Sequence, residues 1–180
     1  VERLRTRALL ARSVDYGEAD RILTLLTEDA GKVSALARSA RKSRRRFGGA
    51  LSLFVVGQAE LGNPRRGSDL RPLERFEPLS DLAGSMGADL AKVTHGSYVL
   101  ELARELWPAE STEPELFALV LSTLEAIAAH EPSPTLLRCF ELLLLANTGH
   151  LPSFDRCVRC DELVDQVHGG PLGFSVTSGG

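Results

Sequence analysis

Between Glu77 and Ser80 the periodicity of the chain changes, and that change limits what it can fold into. Before it, apolar residues alternate in short runs broken by turn residues; after it, they recur three and four positions apart between caps and prolines. Strands followed by helices predict an α+β protein, with a small all-strand unit leading into a helical one. The expected division is a barrel over 1–79, a helical domain over 80–150 and a cysteine-pair segment over 151–180.

Leu4 to Val14 reads as the first strand. Leu4, Ala8, Leu10 and Val14 share one parity and Arg3, Arg5 and Arg7 the other, which predicts a core face and a basic face. Asp15-Tyr16-Gly17 is a turn, Ile22 to Thr27 a second strand, and Glu28 to Gly31 a hairpin turn into a third strand over Lys32 to Ala37. Leu51 to Leu61 and Leu70 to Phe76 complete a set of five, with Phe54 in the core and Gly62 to Asp69 as a loop. Short strands at this spacing suit a small barrel. An oligonucleotide-binding barrel and an SH3-like barrel both satisfy the pattern.

Ser80 is placed to cap a helix over Asp81 to Lys92, and Thr94 a second one running to Leu106, where Pro108 stops it. Thr112 with Glu115 three residues on forms a capping box for a third helix ending near Ala129. Ser133-Pro134 opens a fourth, whose Leu142 to Leu145 run is apolar on every side and predicts the most buried helix. Cys139, on that helix, is expected to be a small buried hydrophobe.

The formal net charge of −3 hides an asymmetry: residues 1–79 carry +6 and residues 80–180 carry −9. The positive charge is densest where Lys32 to Ala37 runs into Arg38, Arg41, Lys42, Arg44, Arg45 and Arg46, six cations within nine positions. Such a cluster repels itself unless an anion lies beside it, and a phosphate backbone is the natural one. Arg65 and Arg66 add to it from the Gly62 to Asp69 loop. Tyr16, Phe47 and Phe54 are the rings available for stacking; Phe54 lies in an apolar run and is assigned to the core, and Phe47, followed by two glycines, is the better candidate, with packing in the turn as the competing role.

No P-loop, HExxH or GxSxG motif is present, and the four histidines are scattered, so no catalytic residue is expected and no nucleotide cofactor. Glu18 and Asp20 are expected to cap or to pair with Arg21. No apolar run reaches the length of a membrane span, and Arg3, Arg5, Arg7 and Arg12 interrupt any signal peptide. Cys157 and Cys160 form a CxxC. They can supply one edge of a tetrahedral zinc, a redox dithiol, or two unbound thiols. The Gly169 to Ser175 stretch looks like a hairpin approach to a second pair lying past Gly180.

Gly17-Glu18-Ala19-Asp20-Arg21-Ile22 leading into Leu25-Leu26-Thr27, Gly31-Lys32-Val33, Ala40-Arg41-Lys42-Ser43-Arg44 with Arg46-Phe47-Gly48, and Leu151-Pro152 before Cys157-Val158-Arg159-Cys160 together resemble RecO, a family of bacterial recombination mediators. The resemblance implies an oligonucleotide-binding barrel, a helical domain and, in many members, a four-cysteine structural zinc site, of which only Cys157 and Cys160 are present here. It further implies binding of single- and double-stranded DNA, annealing of strands coated by single-stranded-DNA-binding protein, cooperation with RecR in loading RecA, and residence in the bacterial cytoplasm or nucleoid. Arg104 and Arg138 are suggested for the rim of a site for an acidic partner tail. Other classes compatible with the same residues are an RNA-binding or ribosome-associated factor, a zinc enzyme acting on nucleic acid, and a protein adaptor.

Overall fold

The computed structural model describes residues 3–42, 47, 51–87, 89–108, 111–164 and 172–180. Five strands come first: β1 Leu4–Tyr16, β2 Asp20–Thr27, β3 Gly31–Ala37, β4 Val55–Leu61 and β5 Arg71–Asp81. They close into a barrel in the order β1-β2-β3-β5-β4. β3 meets β5 in parallel at Ala35–Arg71 and Leu36–Pro72, while every other neighbouring pair is antiparallel. That closure, with β4 between β5 and β1, selects the oligonucleotide-binding barrel over the SH3-like alternative. Four helices follow: α1 Leu82–Met86, α2 Leu90–Leu106, α3 Pro114–Ala129 and α4 Pro134–Asn147. No helix among the described residues is long and apolar enough to cross a membrane.

Strand alternation creates two cores. Leu10, Leu23, Leu25, Val33, Ala35 and Phe76 point into the barrel. Leu9, Ala11, Leu26 and Val56 point out of it and meet Val99, Leu100 and Ala103 of α2 and Phe117 and Val120 of α3 in a second core. Removing these faces from water stabilises the structure by roughly 1.5–3 kcal/mol for each large apolar side chain. Arg7, on the outward parity, is covered too, its guanidinium 6.0 Å from the centre of the Phe117 ring.

Phe54 joins the barrel to the helices. It precedes β4 in a left-handed conformation (φ 67°), its N–H donates to Leu10 O and its carbonyl accepts from the Leu82 N–H. The ring is 4% exposed and lies against α2 at Gly96, where a Cβ would come within 2.9 Å of it. Strain of this kind costs on the order of 1–3 kcal/mol and persists because the burial offsets it.

Several elements depart from the alternation and capping patterns. A bulge between Leu10 and Arg12 inserts Ala11 and reverses the parity of β1, so Val14 lies outside the barrel and not in its core. The strand expected from Leu51 starts only at Val55, after the Phe54 turn. β5 continues through Pro78 to Asp81, because Pro78 sits beside a register shift at Val56/Gly57 where a missing donor is tolerated. Asp81, not Ser80, caps α1 by accepting from the Gly84 N–H, and Asp89 caps α2 by accepting from Ala91 and Lys92. Thr94 is therefore inside α2, donating back to Leu90 O. Thr112 donates to Asp29 O instead of capping α3. The most buried helix is α3, with Leu116, Phe117, Val120, Leu121, Leu124 and Ile127 inside; α4 buries Phe140 and Leu144 while Leu142, Leu143 and Cys139 are exposed. A continuous leucine run gives a helix no preferred face, whereas the 3.6-residue period of α3 does.

The β2–β3 turn is clamped to the segment between α2 and α3. Thr112 Oγ1 of that segment donates to Asp29 O, Lys32 Nζ donates to Arg104 O near the end of α2 at 2.7 Å, and Thr6 Oγ1 of β1 holds the turn from the other side by donating to Asp29 Oδ2 at 3.0 Å. Gly31 has φ 67° and lies so close to Ser111 that an added Cβ would fall 2.2 Å from its carbonyl oxygen, whereas Gly17, at φ 60°, has open space around it. Gly17→Ala should cost about 1 kcal/mol of unfolding free energy, the left-handed penalty alone, and Gly31→Ala about 2 kcal/mol or more. Urea denaturation followed by Trp107 fluorescence reads the difference. Equal midpoints for the two variants would mean that the turn is not pressed against the α2–α3 segment.

Candidate nucleic-acid interface

Arg38, Arg41 and Lys42 leave the end of β3 exposed to solvent, and Arg65 and Arg66 are exposed on the β4–β5 loop. Arg44, Arg45 and Arg46 lie outside the described residues. The loop carrying Arg65 and Arg66 delivers the chain to Arg71, which pairs with Ala35 of β3, so it opens beside the β3 edge. Among the described residues, Arg12, Arg41, Lys42, Arg65 and Arg66 form no ion pair with an acid. Their charge is available to an outside anion.

The start of the basic segment is held against the β1–β2 turn. Asp20 Oδ1 accepts from the Ser39 N–H at 2.7 Å, where Ser39 takes φ 52°. The Arg41 N–H donates to Ala19 O at 3.1 Å, and its guanidinium reaches Glu18 O at 3.4 Å. Arg21 closes the other side: Nε donates to Asp15 Oδ1 at 3.0 Å and Nη1 to Leu51 O at 3.1 Å. The Glu18-Ala19-Asp20-Arg21 motif is thus a set of fasteners, with Asp20 in the capping role and Arg21 paired to Asp15. Arg21, Ala40, Arg41, Phe47 and Leu51 line a cavity of about 280 Å³ between them.

Phe47 is 1% exposed and belongs to the barrel core. Its ring is therefore packing and not a stacking platform, because an apolar ring beside Leu51 and Leu23 is more stable in the barrel mouth than in water. Tyr16, at the end of β1, is 55% exposed and is the aromatic side chain this region presents. The sequence offers Tyr16 as an available ring but ranks Phe47 ahead of it, and places Tyr16 in a turn where the structure has it at the end of β1. Arg104 pairs with Glu105 and Arg138 with Glu141, so the two cations suggested for an acidic tail both carry partners.

The cysteine pair lies in a small hairpin. Arg156 bridges Leu163, the Cys157 N–H donates to Glu162 O, and the Asp161 N–H, in a residue at φ 61°, donates to Cys157 O. Phe154 and Phe174 stack with ring centres 5.8 Å apart, and a cavity of about 830 Å³ opens between the hairpin and the 172–180 segment. Backbone N–H groups of Arg159 and then Cys160 point at the Cys157 sulfur and, with the Cys160 thiol, hold its pKa below the ordinary thiol value. At Cys160 the Glu162 N–H acts downward, but the Cys157 hydrogen bond, desolvation and neighbouring negative charge together push the value up. This turn fits a metal-binding knuckle, since its amides favour thiolate, yet it offers two donors of the four a structural zinc takes. Among the described residues no third His, Cys, Asp or Glu joins them, and His168 lies outside those residues. In the metal-free chain at neutral pH, iodoacetamide should modify Cys157 before Cys160, and Cys157→Ser should abolish the faster phase. Because Cys157 is held below the ordinary thiol value and Cys160 above it, the difference should persist through the ordinary thiol range and close only at higher pH, where Cys160 ionises as well. Equal rates at neutral pH, read by peptide mass mapping, would contradict the amide geometry.

Two family models match the chain, Recombination protein O N terminal over residues 1–81 and Recombination protein O C terminal over residues 87–173. A protein named DNA repair protein RecO from Anaeromyxobacter sp. (strain K) is 43% identical over 180 residues, spanning 100% of this chain and 69% of the relative. The protein of the same name from Myxococcus xanthus is 42% identical over 96% of this chain and 72% of its own length, and that from Geobacter sulfurreducens 40% identical over 87% and 63%. With barrel, helices and cysteine hairpin all inside these matches, the chain belongs to the RecO family.

Proposed function

We propose that this chain is a nonenzymatic DNA-binding mediator of DNA repair, which holds single and double strands on its barrel and anneals complementary strands. The observation that carries the reading is that Arg41 and Lys42 past the β3 exit and Arg65 and Arg66 on the β4–β5 loop of an oligonucleotide-binding barrel are exposed and, among the described residues, form no ion pair with an acid. Annealing breaks no covalent bond. Its barrier is the repulsion of two polyanions, and a basic surface lowers it by releasing condensed counterions and keeping both backbones close. Arg38, Arg41, Lys42, Arg65 and Arg66, with Arg44, Arg45 and Arg46, grip phosphates rather than reading base edges. The fasteners at Asp20 and Arg21 support that role by fixing where the basic segment leaves the barrel.

Membership of the RecO family supports, as the setting in which this activity works, RecR, single-stranded-DNA-binding protein and the loading of RecA on strands coated by that protein, in a bacterial cytoplasm or nucleoid. The helical half, net negative, is suited to contacts with proteins and support of the barrel and not to lying along DNA. Cys157 and Cys160 would hold one edge of a structural zinc, completed by two further donors. Its chemistry there is to crosslink a segment with little core of its own.

If about five phosphates are neutralised, log-log salt plots should have slopes of about −3.5 on single strands and −4.5 on duplex. A fourfold rise in salt then weakens binding about 130-fold and about 500-fold. Replacing Arg44, Arg45 and Arg46 by Ala should flatten the single-strand slope by about 2 and reduce annealing to background, with RNA of matched sequence titrated in parallel. Unchanged annealing by the folded triple variant would remove the basic segment from the mechanism, and a strong preference for structured RNA would redirect the reading to an RNA-binding factor.

A further inference from the structure

Two neighbouring residues of β2, opposite in charge, take hold of the two ends of the basic connection between β3 and β4. Strand alternation sends their side chains to opposite sides. Arg21 shares the inward parity of Leu23 and Leu25, and from the barrel mouth its Nη1 donates to Leu51 O at 3.1 Å. There the connection re-enters the core, with Leu51 buried. Asp20 has the outward parity, and its Oδ1 accepts from the Ser39 N–H at 2.7 Å, just past the end of β3. Asp15 steadies Arg21 by accepting from Nε at 3.0 Å, and the Ala19 carbonyl accepts from the Arg41 N–H at 3.1 Å. Ser39 itself has φ 52°, a left-handed conformation uncommon for serine, and the bond to Asp20 fixes it there.

Asp20 is thus an acid at the start of the run Arg38, Arg41 and Lys42, where its charge alone would weaken the hold on a phosphate backbone. We infer that Asp20 and Arg21 are positioning residues for strand binding and annealing: they pinch the 39–51 connection at its neck, and Asp20 acts through its hydrogen bond and not its charge. This rests on the nucleic-acid reading above and adds to it what organises the cations. Six cations within nine positions repel one another, and a connection free at either end relieves that repulsion by spreading them. With both ends fixed, less order has to be imposed when a polyanion arrives. Neither side chain needs to touch the strand. The neck requires an acceptor on the outer side for one amide, and at the mouth a forked donor that serves a carbonyl and a carboxylate at once. An acid followed directly by an arginine meets both requirements.

The test compares the full 180-residue chain with three single variants, by single-strand affinity and annealing rate at one salt concentration. Asp20→Asn and Asp20→Ala remove the same charge, but only asparagine keeps an oxygen for the Ser39 N–H. Asp20→Asn should bind at least as tightly as the parent, having lost a negative charge. Asp20→Ala should bind and anneal about tenfold more weakly than Asp20→Asn. Arg21→Lys keeps its positive charge but cannot fork between Asp15 and Leu51, and should fall about tenfold below the parent. Urea denaturation followed by Trp107 fluorescence sets conditions under which each variant is folded, and Arg21→Lys carries the test if Asp20→Ala is not. Equal affinities of Asp20→Ala and Asp20→Asn would overturn the neck and leave the basic interface standing, and so would Arg21→Lys binding as the parent does. Absence of salt-dependent binding by the parent would overturn the interface and the neck together.

Discussion

Everything about the molecule's architecture depends on the apolar seam where the outside of the barrel meets α2 and α3. A five-stranded barrel has little interior, and here Leu9, Ala11, Leu26 and Val56 extend the buried surface to its outer wall. Phe54 holds the seam together from the barrel side, in a strained backbone conformation that only a well-buried ring sustains, and Gly96 makes the space for it. Clamps at the far end, from Lys32 to the end of α2 and from Thr112 to the β2–β3 turn, keep the two units in one register.

The seam also decides which barrel surface stays free. With one wall covered by helices, the outer face of β1, β2 and β3 near the β1–β2 turn remains exposed, and the basic segment begins at that end. Short polar fasteners then do the local positioning: Asp20 takes the Ser39 amide and Arg21 spans from Asp15 to Leu51. The segment is thereby anchored at its first residues, while Arg41 and Lys42 form no ion pair with an acid among the described residues. The charge asymmetry of the sequence becomes a division of surfaces, one half electropositive and the other acidic.

Much of the fold was legible because strand and helix periodicities differ and because the turn residues separate them. β2, β3, α3 and α4 lie close to where alternation and capping place them. What escaped was set by events that a pattern does not encode. One inserted residue, Ala11, reverses the facing of everything after it in β1, and so turns Val14 from an expected core residue into an exposed one. The apolar run around Phe54 places its ring in a core, where it lies, whereas the arginines and glycines around Phe47 give no sign that the barrel buries it. The leucine run of α4 signalled burial by composition, but the helix with a directional stripe, α3, took the central position.

By itself the sequence determined the α+β division, the basic segment and its sign, the cysteine pair and the family, since each rests on residue types at fixed spacing along the chain. Only the tertiary structure decided that β3 closes on β5, which outward row faces solvent, and which arginines remain without acids. Those outcomes depend on strand register and on which surfaces exclude water together, and residues distant in the chain settle both.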